Sequence, residues 1–215
     1  MIRLIGIDGD KGAGKDTLAE VLIRQFGFTK LAFAQPLKDM LAEVFLIAPI
    51  TFEDRVLKEQ AFSNPIELTS YHIQRILDYL EMKGIKITDQ AIKDSLSMAG
   101  TILHTPREMM QIVGTELVRT HVGYETWVNL WSIEQSKYTK VVAPDARFGN
   151  ERDAITVRMG KNVLIQRPGL TNGDKHSSEN NHGEEKDYDA VVTNDIDKAA
   201  LQSEFAMWYT TVRDK

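Results

Sequence analysis

The sequence predicts an α/β fold, a three-layer sandwich around a central, mainly parallel sheet. Short apolar runs recur at residues 2–7, 29–33, 141–143, 163–165 and 190–192, each suited to a strand buried on both faces. Helical patterns separate several of these runs, and strands spaced by helices imply right-handed crossovers within a parallel sheet. A glycine-rich loop stands directly after the first run, where such sheets collect ligands beyond their strands' carboxyl ends.

That loop is Gly9-Asp10-Lys11-Gly12-Ala13-Gly14-Lys15-Asp16-Thr17. A buried strand, a freely bending loop and a helix over residues 15–26 point backbone N–H groups and a helix N-terminus at one spot, which favours a triphosphate. Gly9, Gly12 and Gly14 allow close approach, and Lys15 reaches the outer phosphates as a mobile charge. The spacing matches G-x-x-x-x-G-K and makes the fold a P-loop NTPase type. Asp16 departs from the pattern, standing where a Ser or Thr hydroxyl usually ligates magnesium, with Thr17 one residue late. A carboxylate there can hold Mg2+ through its waters, because this ion keeps several of them.

After the second run comes a helical insertion, residues 36–136. Pro36 opens one helix, and Thr69 and Thr88 are caps for two more. Thr105-Pro106-Arg107-Glu108 combines a cap, a proline at the first position and a glutamate able to close a capping box. The apolar Met109, Met110, Ile112, Val113 and Leu117 that follow are core positions. A polar excursion, residues 169–187, follows Arg167-Pro168 and reads as a lid over the phosphate end. His176, Glu179, His182 and Glu184 within it read as solvated residues rather than metal ligands. The chain is otherwise a single domain over 1–215.

A second chemically loaded stretch is Val141 to Asp153. Its strand delivers Asp145 and Arg147 to the sheet's working edge, where the acid orients magnesium or acceptor groups and the arginine offers a rigid fork to a phosphate; the alternative is that both serve the next helix. Arg107 lies in the first turn of a helix, whose N-terminus already carries partial positive charge, which an acceptor phosphate would resolve; the alternative is a solvated arginine beside Glu108. Trp127 either lines a base or sugar pocket or belongs to the core.

Composition narrows the function. The net charge of −5 argues against broad nucleic-acid or acidic-membrane binding, so cations that meet phosphates must be focused in a cleft. Zero cysteines exclude a thiolate nucleophile and a zinc knuckle, and fit a reducing compartment. No run approaches the length of a membrane span, and no basic leader precedes the first strand, so the expected location is cytoplasmic, host cytoplasm for a viral protein.

With these residues assembled, the chain resembles the phage-type deoxynucleoside monophosphate kinases. The resemblance is carried by the Gly-Lys-Asp-Thr ending of the loop, Leu31 to Asp39, Arg107 to Glu116, Trp127, Pro144-Asp145-Ala146-Arg147 with Glu151, Arg167-Pro168-Gly169 and Val191 to Asp195. It implies transfer of the ATP γ-phosphate to a deoxynucleoside monophosphate. It implies ATP contacts from Lys11, Gly12, Gly14, Lys15, Asp16, Thr17 and Arg167, with Lys15, Arg107, Asp145 and Arg147 catalytic. It implies an acceptor site of Leu37, Lys38, Arg107, Gly114, Thr115, Trp127, Asp145, Arg147 and Glu151. ATP, the monophosphates and Mg2+ are the expected ligands, with no nucleic-acid or membrane partner; the oligomeric state stays open, a homodimer among the alternatives. The competing readings are a kinase for another small acceptor such as dephospho-coenzyme A, or a nucleotide-driven ATPase or switch.

Overall fold

The computed structural model describes residues 1–170, 183–195 and 197–214. The chain divides into two compact units, Met1–Phe33 with Trp131–Lys215, and Ala34–Leu130.

The first unit is built on β1 (Leu4–Asp8), β2 (Thr29–Lys30), β5 (Val141–Ala143), β6 (Lys161–Gln166) and β7 (Ala190–Thr193), in the order β2-β5-β1-β6-β7 with every pair parallel. The five predicted strands are therefore those of one parallel sheet. Ile5 and Ile7 of β1 pack with Leu18 and Leu22 of helix α1 (Lys15–Phe26) and with Phe205 and Tyr209 of helix α10 (Lys198–Val212). On the other face, a Cβ added to Gly6 would lie 3.1 Å from Ile155 Cγ1 in helix α9 (Gly149–Val157), so strand and helix meet there with backbone alone. Helices on both faces make the predicted three layers.

The second strand ends earlier than its apolar run. Leu31 N–H still bonds the Val142 carbonyl at 3.0 Å, but the N–H of Phe33 is taken by the Asp145 carboxylate at 2.8 Å. The chain runs from β1 outward past β5 to β2, and later from β5 across β1 to β6. Loops after β1 and β5 therefore diverge, opening a crevice at the carboxyl ends of these strands.

The second unit contains α2 (Gln35–Phe45), α3 (Ile50–Glu53), α4 (Arg55–Glu59), β3 (Ile66–Leu68), α5 (Ser70–Met82), α6 (Asp89–Leu96), β4 (Thr101–Leu103) and α7 (Pro106–Gln111), the last continuing as a π-helical segment Ile112–Val122. Helix α8 (Thr126–Gln135) gives its first turn to this unit. Thr69, Thr88 and Thr105 cap α5, α6 and α7, each hydroxyl accepting an N–H three residues on. Glu108 closes its box one residue early, on the N–H of His104 at 2.6 Å. Ile73, Ile76, Leu77 and Leu80 recur at helical spacing on α5 and are buried in this unit's core with Met109, Val113 and Leu117.

This segment is not wholly helical. β3 and β4 pair antiparallel with Ile66 opposite Leu103. Three-residue strands are too short for a period-2 signal, and their pairing joins residues far apart in the chain.

Candidate active site

The glycine loop leaves β1 with backbone that a side chain would obstruct. Gly9 has φ 142°, and a Cβ there would overlap the Ile165 carbonyl of β6. Gly14 has φ 115°, and its Cβ would lie 2.9 Å from Asn194 Nδ2. That same amide donates to the Ala13 carbonyl at 2.7 Å, so the turn after β7 braces the loop. Lys15 opens α1 and folds its ammonium onto the loop, donating to the carbonyls of Gly9 and of Asp10, the latter at 2.8 Å. Its charge is thereby held beside the helix N-terminus, where the macrodipole also favours an anion.

Asp16 follows at the first turn, exposed and ion-paired with Lys30 at 2.8 Å. Thr17 N–H bonds the Gly14 carbonyl at 2.9 Å within the same turn. Lys11 and Gly12 are exposed on the loop, and Arg167 Nη1 comes to 3.4 Å from the Gly12 carbonyl. Lys11, Gly12, Gly14, Lys15, Asp16, Thr17 and Arg167 thus sit on and around one loop.

After β5, Asp145 accepts the Phe33 N–H, and Glu151, 3% exposed, accepts the N–H groups of Arg147 at 2.9 Å and Phe148 at 3.1 Å. Arg152 Nη1 donates to the Arg147 carbonyl at 2.6 Å. Both backbone polar groups of Arg147 are thus clamped by side chains, the N–H by Glu151 and the carbonyl by Arg152. Asp8, at the end of β1 and 1% exposed, accepts the Gly9 N–H on Oδ1 at 2.7 Å; its Oδ2 receives the Tyr188 hydroxyl and lies 3.4 Å from Arg152 Nη1.

The second unit holds the other predicted residues. Leu37 and Gly114 touch closely: a Cβ on Gly114 would be 2.5 Å from Leu37 Cδ2. Trp127 is 3% exposed and donates its indole N–H to the Gly114 carbonyl at 2.8 Å. It belongs to the core of this unit, and its polar edge fixes the π-helical turn that carries Gly114 and the half-buried Thr115. Such turns are rare in proteins and concentrate at functional sites.

Nearby in the same unit, Lys38 pairs with Glu53 at 2.9 Å and Arg107 with Glu59 at 2.7 Å. The anion that Arg107 requires at its helix start is thus a carboxylate of this chain. Lys58, half-buried, has its pKa lowered by burial first and then by the charges of Lys38 and Arg107. Three cations share this cluster with two carboxylates, a net positive field suited to a phosphate.

Sequence reasoning missed Asp8, Arg152, Tyr188, Asn194 and Lys58. An acid ending an apolar strand was a legible signal for Asp8, and Asn194 lies in a stretch already singled out; Tyr188 meets Asp8 across 180 residues and carries no local sign. Residues 171–182 of the expected lid, with His176, Glu179 and His182, lie outside the described residues; Glu184 pairs with Lys186 at 2.6 Å on the surface. Among the described residues, no three His, Asp or Glu side chains gather as a metal cage, and no helix is long and apolar enough to cross a membrane.

Comparison with known proteins bears on this arrangement. The family model of deoxynucleotide monophosphate kinase matches residues 59–205. The chain is 30% identical over 204 residues to a protein of Acanthamoeba polyphaga mimivirus, spanning 89% of this chain and 88% of the relative. It is 27% identical over 226 residues to the deoxynucleotide monophosphate kinase of Enterobacteria phage T4, spanning 90% and 93%. Among solved structures, TT1252 from Thermus thermophilus superposes with a TM-score of 0.50 at 15% identity, over 99% of this chain and 97% of that one, a likeness of fold.

Proposed function

The chain belongs to the deoxynucleotide monophosphate kinase family, and from that membership we propose that it transfers the γ-phosphoryl group of ATP to deoxynucleoside monophosphates, giving ADP and the diphosphates. The observation that carries the reading is the glycine loop with Lys15 held at its mouth by the carbonyls of Gly9 and Asp10.

The acceptor needs no general base. A phosphate monoester loses its second proton near pH ~6, so its oxygen attacks γ-phosphorus directly as the bond to the ADP oxygen breaks. Two anions must meet in line, and the protein's contribution is position and countercharge. Lys15 and the loop N–H groups hold the β- and γ-phosphates, with Lys11, Gly12, Gly14, Thr17 and Arg167 around them. Arg147, fixed by Glu151 and Arg152, serves the transferring group, and Asp145 organises the backbone at Phe33 rather than moving a proton. Lys38, Lys58 and Arg107 attract the monophosphate, exchanging carboxylate partners for phosphate, and the Leu37–Gly114–Trp127 contact shapes the nucleotide's surroundings with Thr115.

The residues fit magnesium in one way. Asp16 offers exposed carboxylate oxygens beside the loop, which with phosphate oxygens and water satisfies an ion that accepts few protein ligands. When bound, Mg2+ neutralises phosphate charge. Replacing Asp16 with Ala is expected to move the magnesium dependence of turnover to higher concentration, and an unchanged titration would remove Asp16 from the metal's surroundings.

ADP production measured with each deoxy- and ribonucleoside monophosphate tests the function. Acceptor-dependent ADP release with deoxynucleotides supports it. Hydrolysis at one rate with every acceptor, or turnover with dephospho-coenzyme A alone, would overturn it.

A further inference from the structure

We infer that Tyr188 is a positioning residue for Lys15, acting through Asp8 and the backbone of Gly9. The inference rests on the reading of that loop as the ATP phosphate site.

Four groups form one chain of hydrogen bonds. The Tyr188 hydroxyl donates to Asp8 Oδ2; Asp8 Oδ1 accepts the Gly9 N–H at 2.7 Å; the Gly9 carbonyl accepts the Lys15 ammonium. Each link fixes the next. Asp8 is 1% exposed, so solvent cannot replace a lost partner. Its other neighbour on Oδ2, Arg152 Nη1, stands at 3.4 Å and already donates to the Arg147 carbonyl at 2.6 Å. Arg152 also lies over the Tyr188 ring, 5.4 Å from its centre, and the Gly183 N–H donates to the Tyr188 oxygen at 3.0 Å. The hydroxyl is thus aimed by two contacts at the carboxylate. Burial, and then the adjacent Asp8 carboxylate, push its pKa well above the ordinary tyrosine value, so it is a donor at neutral pH.

Without the hydroxyl, Oδ2 loses an O–H donor, and the carboxylate gains by turning toward Arg152. That rotation pulls Oδ1 from the Gly9 N–H and frees the backbone of Gly9, whose carbonyl, on the next peptide, seats Lys15. The consequence is specific to ATP, because the chain ends on the phosphate-binding lysine.

Tyr209 supplies the control. It is buried where Tyr188 is half-buried, and its hydroxyl bonds backbone next to β1, the Ile2 carbonyl at 3.0 Å, at the strand's opposite end from Asp8. Tyr188→Phe and Tyr209→Phe therefore both remove one hydrogen bond, and only the first should weaken ATP.

The experiment is calorimetric titration of the full chain with a non-hydrolysable ATP analogue, beside steady-state kinetics for both substrates. Tyr188→Phe is expected to weaken the analogue by about fivefold or more, the equivalent of one net hydrogen bond, and to raise the ATP KM with the monophosphate KM unchanged. Asp8→Ala removes the acceptor of both bonds, so it breaks the same chain one link later and should give the same pattern, and the result does not hang on one variant's folding. In a Lys15→Ala background, Tyr188→Phe should have no further effect. Unchanged ATP affinity in Tyr188→Phe, an equal loss in Tyr209→Phe, or a full additional loss in the Lys15→Ala background would overturn the inference. If Lys15→Ala itself binds the analogue as the parent does, the ATP-site reading falls with it; if Lys15→Ala loses binding while Tyr188→Phe keeps it, the inference alone fails.

Discussion

Lys15 and Lys58 show how differently two lysines can be used. Lys15 is half-buried and held by loop carbonyls, so Lys15→Ala should reduce turnover by about a hundredfold or more while leaving the melting temperature within a degree or two of the parent. Turnover and melting measured on one preparation decide this. Lys58 is held in its charged form at a cost, since burial and two cations lower its pKa. The sign follows from proton binding: the unfolded chain holds this proton more tightly, so the group's contribution to stability rises with pH between its lowered folded pKa and the ordinary 10.5. Below the folded pKa the penalty is present in full. Lys58→Met should therefore stabilise the protein at pH 7, gain less at pH 10, and weaken the monophosphate KM without touching ATP affinity. A variant that is both less stable and equally active would contradict the cluster's role as a phosphate site.

Elements carry the second lesson. The π-helical segment Ile112–Val122 is held at Gly114 by the indole of Trp127, a contact between side chain and carbonyl 13 residues apart. Trp127→Phe keeps most of the apolar burial and removes that donor from the Gly114 carbonyl, at a net cost of about 0.5–1.5 kcal/mol. Chemical denaturation should register the loss, and the monophosphate KM should rise while the ATP KM holds. The helix starts were legible because capping is local chemistry: Thr69, Thr88 and Thr105 each need only a free N–H three residues on. The helix's π geometry was not, because it depends on Trp127 and on Leu37 crowding the Gly114 backbone.

At the scale of the whole molecule, each substrate should stabilise the folded chain on its own. Ligand that binds the folded state at about 100 times its Kd contributes about 2.7 kcal/mol, which raises the melting temperature by several degrees in a chain of this size. A non-hydrolysable ATP analogue should produce this shift in the parent and lose it in Lys15→Ala; a deoxynucleoside monophosphate should produce it in both. A monophosphate shift that vanishes in Lys15→Ala would mean that the two ligands share one site.

Much of this protein is written along the chain. The strands, the glycine loop with its helix, and the threonine caps follow from periodicity, backbone freedom and local hydrogen bonding, all of which act over a few residues. The family resemblance also needs nothing beyond the order of short motifs. Tertiary structure decided what lies across long intervals: that Asp145 ends β2 by taking the Phe33 N–H, that Glu59 supplies the anion beside Arg107, and that Asn194 braces Ala13. The pairing of β3 with β4 and the approach of Tyr188 to Asp8 belong to the same class. A buried polar group must find a partner, but the sequence does not say which one, because the choice depends on what the fold brings within about 3 Å.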